Sequence, residues 1–372
     1  MASRLNQFQC WKNVGQNTTA GGAGVSTNQS NFPIPIIVSN LNWNQDSLNC
    51  LFGSWNPNGK RVQFFDEIGN NLSYEVESFD TTNKIGIFHV KKATVTGNSS
   101  TDFITMGFGN DPNHADQDNA ADVWSNGYTF VDHLTEPTGG QVDSRNGLVL
   151  TASGSASQNQ IGYLGKANLY PGAGASICPH NSILNITDQV TISNWFKLTA
   201  NNALLKVMVC KEKVAGGQDV NYRFRVDSNN ALRFSWTNPI AVFQTFGANT
   251  VCNVAGGWYY GGVSAQTIGS DPNKQVSGKF YLNGAPDGTF TGSAGKTFMT
   301  NAWDLIVGND SASHAYYGYL DEIRIANLLR TDDWMKLEFK SMKATAWSGD
   351  GWLTWGQTHN GFITPMSKMW GL

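Results

Sequence analysis

The stretch Val190-Thr191-Ile192-Ser193-Asn194-Trp195-Phe196 is a run of β-branched, aromatic and small polar residues of strand length. It does not stand alone. Similar runs recur every 8–12 residues or so between Val123 and Asn327: Leu204 to Cys210, Tyr222 to Val226, Ala231 to Trp236, Trp258 to Val263, Gly278 to Leu282, Leu305 to Val307 and Gly318 to Ile325. Spacing of that kind, with Gly, Asn, Asp and Pro between the runs, predicts a two-sheet sandwich or jelly roll. Asn283-Gly284 and Asp287-Gly288 are each expected to form a tight turn, because both pairs tolerate the positive φ such turns need.

The same reading extends towards the N-terminus. Ile34 to Val38, Arg61 to Phe65, Leu72 to Val76, Gly86 to Val90 and Phe103 to Phe108 are strand-like and predict a small β-sandwich over residues 32–112. Before it, Gly15, Gly21, Gly22 and Gly24 lie among Asn, Gln, Ser and Thr, so residues 1–31 are expected to be a loop or arm. A stretch rich in Asp, Asn and Ala from Asn110 to Asp122 marks the boundary to a second domain over 123–330. A helix is expected from Thr331 to about Lys343. Thr331 can cap it, Asp332 and Asp333 suit its positive end, and Trp334, Leu337 and Phe339 to Met342 give it an apolar side. Residues 331–372 are expected to pack on the body, since the tail carries Trp347, Trp352, Trp355 and Trp370.

Composition agrees and excludes some functions. The 372 residues are 40% hydrophobic and 12% aromatic, enough for large cores, yet only 14% are charged, against about 25% in an average soluble domain. A net charge of -3 argues against nucleic acid or anionic lipid as partner. No run of apolar residues is long enough to span a membrane, so no membrane insertion is expected. The N-terminus lacks the apolar core of a cleaved secretion signal, so export by that route is not expected. Five widely spaced cysteines, with no C-x-x-C pair, are expected to be buried thiols and not bridges or zinc ligands.

Four stretches of the second domain together resemble the laminin-G-like, concanavalin A-like jelly rolls. Val190 to Phe196 resembles an early strand of that family, Gly257-Trp258-Tyr259-Tyr260-Gly261-Gly262-Val263 a middle one, and Phe280-Tyr281-Leu282-Asn283-Gly284 its hairpin. Gly318-Tyr319-Leu320-Asp321-Glu322-Ile323-Arg324-Ile325 resembles its closing strand, and Leu329-Arg330-Thr331-Asp332-Asp333 its helix entry. The first domain, through Phe32-Pro33-Ile34-Pro35-Ile36, Val62-Gln63-Phe64-Phe65-Asp66 and Leu72 to Glu77, is similar to an uncharacterised β-sandwich often found before such jelly rolls. The resemblance implies an all-β chain with a binding or structural role and names no reaction.

Candidate chemistry is sparse. Gly292-Ser293-Ala294-Gly295-Lys296-Thr297 ends like a phosphate-binding loop, but Phe290 stands where the first glycine is required. No G-x-S-x-G elbow occurs. Glu75 and Glu77 lie two apart on a strand, roughly 6–7 Å apart on one face and within the range of a glycosidase carboxyl pair, although a solvated face explains them better. The histidines, including His114, show no ligand spacing. The resemblance implies a calcium site in relatives, for which Asp143 and Asp321 are the candidate ligands here; the segment Arg145-Asn146-Gly147 departs from the family pattern. Aromatic rings can stack on the C–H faces of sugars, and Trp236, Trp258, Tyr259, Tyr260, Tyr316 and Tyr317 are candidates. Tyr316 and Tyr317, beside His314 and after Ser311, are expected to be the exposed ones.

The expected function is a non-enzymatic, virion-exposed structural protein of a virus, a bacteriophage, serving as capsid decoration, fibre or tail component and binding glycans. Its partners would be other virion proteins, copies of itself and cell-surface glycans. Low charge suits close-packed copies, and a glycine-rich arm suits locking an assembly. The alternatives are a cellular surface adhesin or carbohydrate-binding module, placed outside the cell, and a glycan hydrolase on the same fold.

Overall fold

The computed structural model describes residues 8–109, 115–200, 204–213, 219–238, 242–310, 314–343 and 351–360. Expectations placed on His114, Ser311, Trp347 and Trp370 lie outside those residues. The chain forms two compact units, residues 1–126 with 340–372, and residues 127–339.

In the first unit, a five-stranded antiparallel sheet has the order Leu353–Asn360, Cys10–Gln16, Asp102–Phe108, Gln63–Phe65, Asn71–Leu72. The segment Cys10–Gln16, expected to belong to an arm, is therefore an inner strand, paired on one side with Leu353–Asn360 and on the other with Asp102–Phe108. Cys10, Lys12, Val14 and Gln16 alternate inward and are buried, and the Lys12 ammonium sits 4.8 Å from the Trp43 ring centre. Burial lowers the Lys12 pKa. Gly15 allows the close pairing, because a Cβ there would meet Thr354 Oγ1 at 2.4 Å.

The second sheet of this unit has the order Gln29–Val38, Ile85–Val95, Tyr74–Asp80. Gln29–Val38 contains Pro33 and Pro35, which cannot donate to a ladder, and it accordingly occupies an edge. Phe64, Tyr74, Phe79 and Phe88 meet edge to face in the core, while Phe52 stacks on Phe79. Helix α1, Gln45–Leu51, is capped by Asn44, whose side chain accepts from the Ser47 amide. A short helix α2 spans Ala120–Val123.

The second unit is a two-sheet sandwich. One sheet runs Phe243–Val251, Ala231–Thr237, Val220–Val226, Lys206–Glu212, Leu305–Val307, Ala175–Cys178, Val149–Ser153, Gly140–Val142. The other runs Ser157–Ile161, Lys166–Pro171, Tyr317–Ala326, Gln189–Leu198, Tyr259–Ile268, Gln275–Leu282, Ala285–Thr291, and Tyr128–Asp132 also pairs with Tyr317–Ala326. Val190, Ile192, Phe196 and Leu198 of one sheet share a continuous core with Phe224, Phe234 and Trp236 of the other.

Of the two expected turns, Asn283-Gly284 is one, with φ of 51° and 76°, whereas Gly288 lies inside the strand Ala285–Thr291. Gly288 does take a positive φ, 114°, but at an irregularity within that strand, where the Asp287 carboxylate accepts from both the hydroxyl and the amide of Thr250.

Residues on the outer face of the second sheet meet helix α3, Asp332–Met342, which the Thr331 hydroxyl caps through the Trp334 amide. Glu338 of α3 accepts from Ser193 Oγ at 2.6 Å, Tyr260 Oη at 2.7 Å, Trp334 Nε1 at 3.0 Å and Tyr128 Oη at 3.3 Å. Three donors from the sheet, Ser193, Tyr260 and Tyr128, bind the helix to it through one buried carboxylate, and Trp334 of α3 adds a fourth bond within the helix.

Candidate functional site

Trp195 and Lys197 point away from the core on the strand Gln189–Leu198, opposite Asp321 and Tyr319 of the neighbouring strand. Phe339 and Tyr260 flank the Trp195 ring. Its face is covered by Tyr163, whose ring lies parallel at 3.4 Å between centres. Tyr163 reaches this position from a tight turn in which the Gly162 amide donates to the Gly165 carbonyl, with Gly165 at φ 64°. Asp321 holds that turn: its Oδ2 accepts from the amides of Tyr163 at 2.7 Å and Leu164 at 2.9 Å. Gly162 is required there, since a Cβ would approach Asp321 Oδ2 to 2.7 Å.

The stack continues outward. Trp258 meets Tyr163 edge to face at 6.3 Å and Tyr319 at a tilt at 6.0 Å, and Lys197 Nζ stands 5.7 Å from the Tyr319 ring. Trp258 follows a turn with Gly257 at φ 81°, anchored by the Tyr259 hydroxyl, which receives the Asn253 amide at 3.0 Å. Trp258, Tyr319, Lys197, Gln160 and Ile161 line an open cleft of about 340 Å³. Ile161 is exposed, while Trp258 and Tyr319 are half-buried, so their rings are fixed at one edge and open at another. Rigid aromatic surfaces bordered by an ammonium and an amide can bind a flat apolar face that carries hydroxyls at its rim.

Trp258, one of the aromatic residues expected to bind sugar, lines this cleft, and Tyr316, Tyr317, His314, Asp143 and Asp321 do not. Tyr316 is fully buried in the core, and its hydroxyl donates to the carbonyl of Tyr319 at 3.1 Å. Tyr317 is half-buried on the opposite side of the backbone, over Gly172, where a Cβ would meet its ring at 2.3 Å. His314 Nδ1 is 2.9 Å from Asp310 Oδ2 within a buried ionic cluster. There Arg223 donates through Nε and Nη2 to the two oxygens of Glu212. Burial raises Glu212 to about 8; burial also acts upward on Asp310, but hydrogen bonds from His314 and Glu212 outweigh it and leave Asp310 lowered.

Asp143 and Asp321 serve two separate turns. Asp143 accepts from the amides of Val131 at 2.6 Å, Arg145 at 3.1 Å and Asn146 at 2.8 Å, closing its own loop, while Asp321 holds the turn at Tyr163. Glu75 and Glu77 are both buried and not solvated: Glu75 accepts from Trp124 Nε1, and Glu77 Oε2 lies 2.7 Å from His89 Nε2. Trp124, at the end of α2, covers the strand face that sequence alternation alone leaves open.

Residues 171–336 match the family described as the concanavalin A-like lectin/glucanases superfamily, and residues 58–145 match a domain of unknown function (DUF2341). Residues 171–336 thus carry a laminin-G-like, concanavalin A-like domain, preceded by this second domain type over residues 58–145. No curated protein matches the chain. Solved structures similar to it include the binding domain of Paraclostridial Mosquitocidal Protein 1, at 14% identity and a TM-score of 0.44 over 57% of this chain and 52% of that one. Domain 4 of an extracellular arabinanase from Geobacillus stearothermophilus, in complex with arabinotriose, is similar at 18% identity and a TM-score of 0.42, over 57% of this chain and 98% of that one. The chain thus spans about half the length of the toxin binding domain and nearly all of the arabinanase domain.

Proposed function

We propose that the chain is a non-enzymatic glycan-binding protein and that the cleft at Trp258 and Tyr319 receives the sugar. One observation carries this reading: two aromatic rings, pre-positioned by the Tyr163–Trp195 stack, open onto a cleft bordered by Lys197 and Gln160. Lys197 and Gln160 would hydrogen-bond hydroxyls at the ring edge. The superfamily description, lectin and glucanase, supports a carbohydrate ligand. Glu212 and Asp310 are buried, engaged by Arg223 and His314, and do not line the cleft, which favours binding over hydrolysis there.

The full chain on a glycan array tests the reading. Binding that is lost in Trp258→Ala without a change in unfolding midpoint is the expected result; absence of binding to every sugar overturns it.

As the setting we propose display on a particle or cell surface, with the virion surface first, beside copies of the chain and other virion proteins. Its support is the low charge content. Cys10–Gln16 is an inner strand and so does not serve as an arm that locks an assembly. Capsid or tail genes beside this one support the virion, and a secretion or cell-wall sorting locus refutes it in favour of an adhesin.

A further inference from the structure

In the first unit, Cys10 begins the inner strand and Cys50 lies in the last turn of α1, 40 positions away in sequence, yet their sulfurs are 2.7 Å apart. The Cys50 thiol donates to the Cys10 sulfur. Cys10 is buried, while Cys50 is half-buried and borders an open cavity of about 300 Å³ lined also by Gln9, Asp46, Asn49 and Trp55. Two further features build the meeting place. Trp55 Nε1 donates to the Cys50 carbonyl at 2.9 Å, fixing the end of α1. Gly109, at φ 107°, leaves the room that Cys50 occupies, because a Cβ there would come within 2.7 Å of the Cys50 sulfur and 3.2 Å of the Cys10 amide.

We propose that Cys10 and Cys50 form a reversible disulfide, made by exchange with a small-molecule or protein disulfide that enters through the cavity beside Cys50. A covalent S–S bond is about 2.05 Å, so closure needs a shift under about 1 Å. In the first step the Cys50 thiolate attacks one sulfur of the oxidant, forming a mixed disulfide and releasing one thiolate. The Cys10 thiolate then attacks the Cys50 sulfur, forms the intramolecular bond and expels the second thiolate. The pair loses two electrons, which reduce the oxidant's disulfide to two thiols, and those thiols take the two protons. The hydrogen bond from Cys50 lowers the Cys10 pKa against the opposing effect of burial, which readies Cys10 for the second, ring-closing step, whereas donating that bond and burial raise the Cys50 thiol and make its opening attack the slower of the two. Cys178, Cys210 and Cys252 lie buried in the second unit, and burial raises each thiol's pKa.

The experiment uses the full chain, reduced and then exposed to oxidised glutathione, with thiols counted in denaturant and peptides mapped. The count is expected to fall from five to three, with residues 10 and 50 in one linked peptide. The oxidised chain is expected to unfold about 10 °C higher than the reduced one, a difference absent in Cys50→Ser. Five reactive thiols after oxidation, or a bond to Cys178, Cys210 or Cys252, overturns the proposal.

Discussion

The carboxylate of Asp321 accepts the main-chain amides of both Tyr163 and Leu164, and through that turn it sets the Tyr163 ring flat against Trp195. Removing the acceptor leaves two donors in a buried place. Asp321→Ala is expected to destabilise the protein by about 3 kcal/mol and Asp321→Asn, which keeps one carbonyl oxygen, by about 1 kcal/mol. Denaturant unfolding measures both. Equal losses in the two variants would show that the hydrogen bonds contribute little.

The aromatic residues separate into two kinds of variant. Trp258→Ala and Tyr319→Ala are expected to abolish sugar binding while costing under about 1 kcal/mol of stability, because both rings are half-buried at a cleft. Tyr316→Ala is expected to cost about 3–5 kcal/mol, since the ring is fully buried in the core. Calorimetry and glycan binding on the same preparations distinguish them.

Metal dependence follows from the use of the acidic groups. Asp143 already accepts three amides and Asp321 two. Addition of EDTA, or of millimolar calcium, is therefore expected to leave the unfolding midpoint unchanged. A calcium-dependent rise would mean that these carboxylates also bind the ion.

A pH effect is expected from Asp132. Burial raises its carboxyl from the usual value of 3.8 to about 7, against the opposing hydrogen bond from the Leu134 amide. Between those values the folded protein holds a proton that the unfolded chain has lost, so stability falls as pH rises through this window. The slope approaches about 1.4 kcal/mol per pH unit for one proton. Asp132→Asn is expected to flatten that part of the stability–pH curve; an unchanged slope refutes the assignment.

Locally encoded features were legible in the sequence. Asn283-Gly284 carries its turn conformation in its own backbone preferences, and Thr331 caps α3 through a hydroxyl three residues from its partner. The strands of the second unit announce themselves by composition and spacing. Long-range partners decide the remainder. Cys10–Gln16 looks like part of a loop because Asn and Gly surround it, and becomes a strand through pairing with residues over 300 positions away. Tyr316 and Tyr317 are adjacent and chemically alike, yet one is core and the other half-buried, because successive side chains in an extended chain face opposite sides. Asp143 and Asp321 resemble calcium ligands, and only the folded turns reveal the amides that claim them. Trp258 was among the candidate sugar-stacking residues; Tyr319 and Lys197 were missed, since their outward direction depends on strand register.

The strand Cys10–Gln16 stands between Asp102–Phe108 and Leu353–Asn360, so the first unit takes strands from both ends of the described chain while the whole second unit is looped out between them. During synthesis, residues 127–339 are complete before Leu353–Asn360 leaves the ribosome. The sheet begun first must therefore wait, with one side of its inner strand unpaired, until the last strand arrives. Loss of residues 351–360 would be felt at residues 10–16, at the opposite end of the sequence.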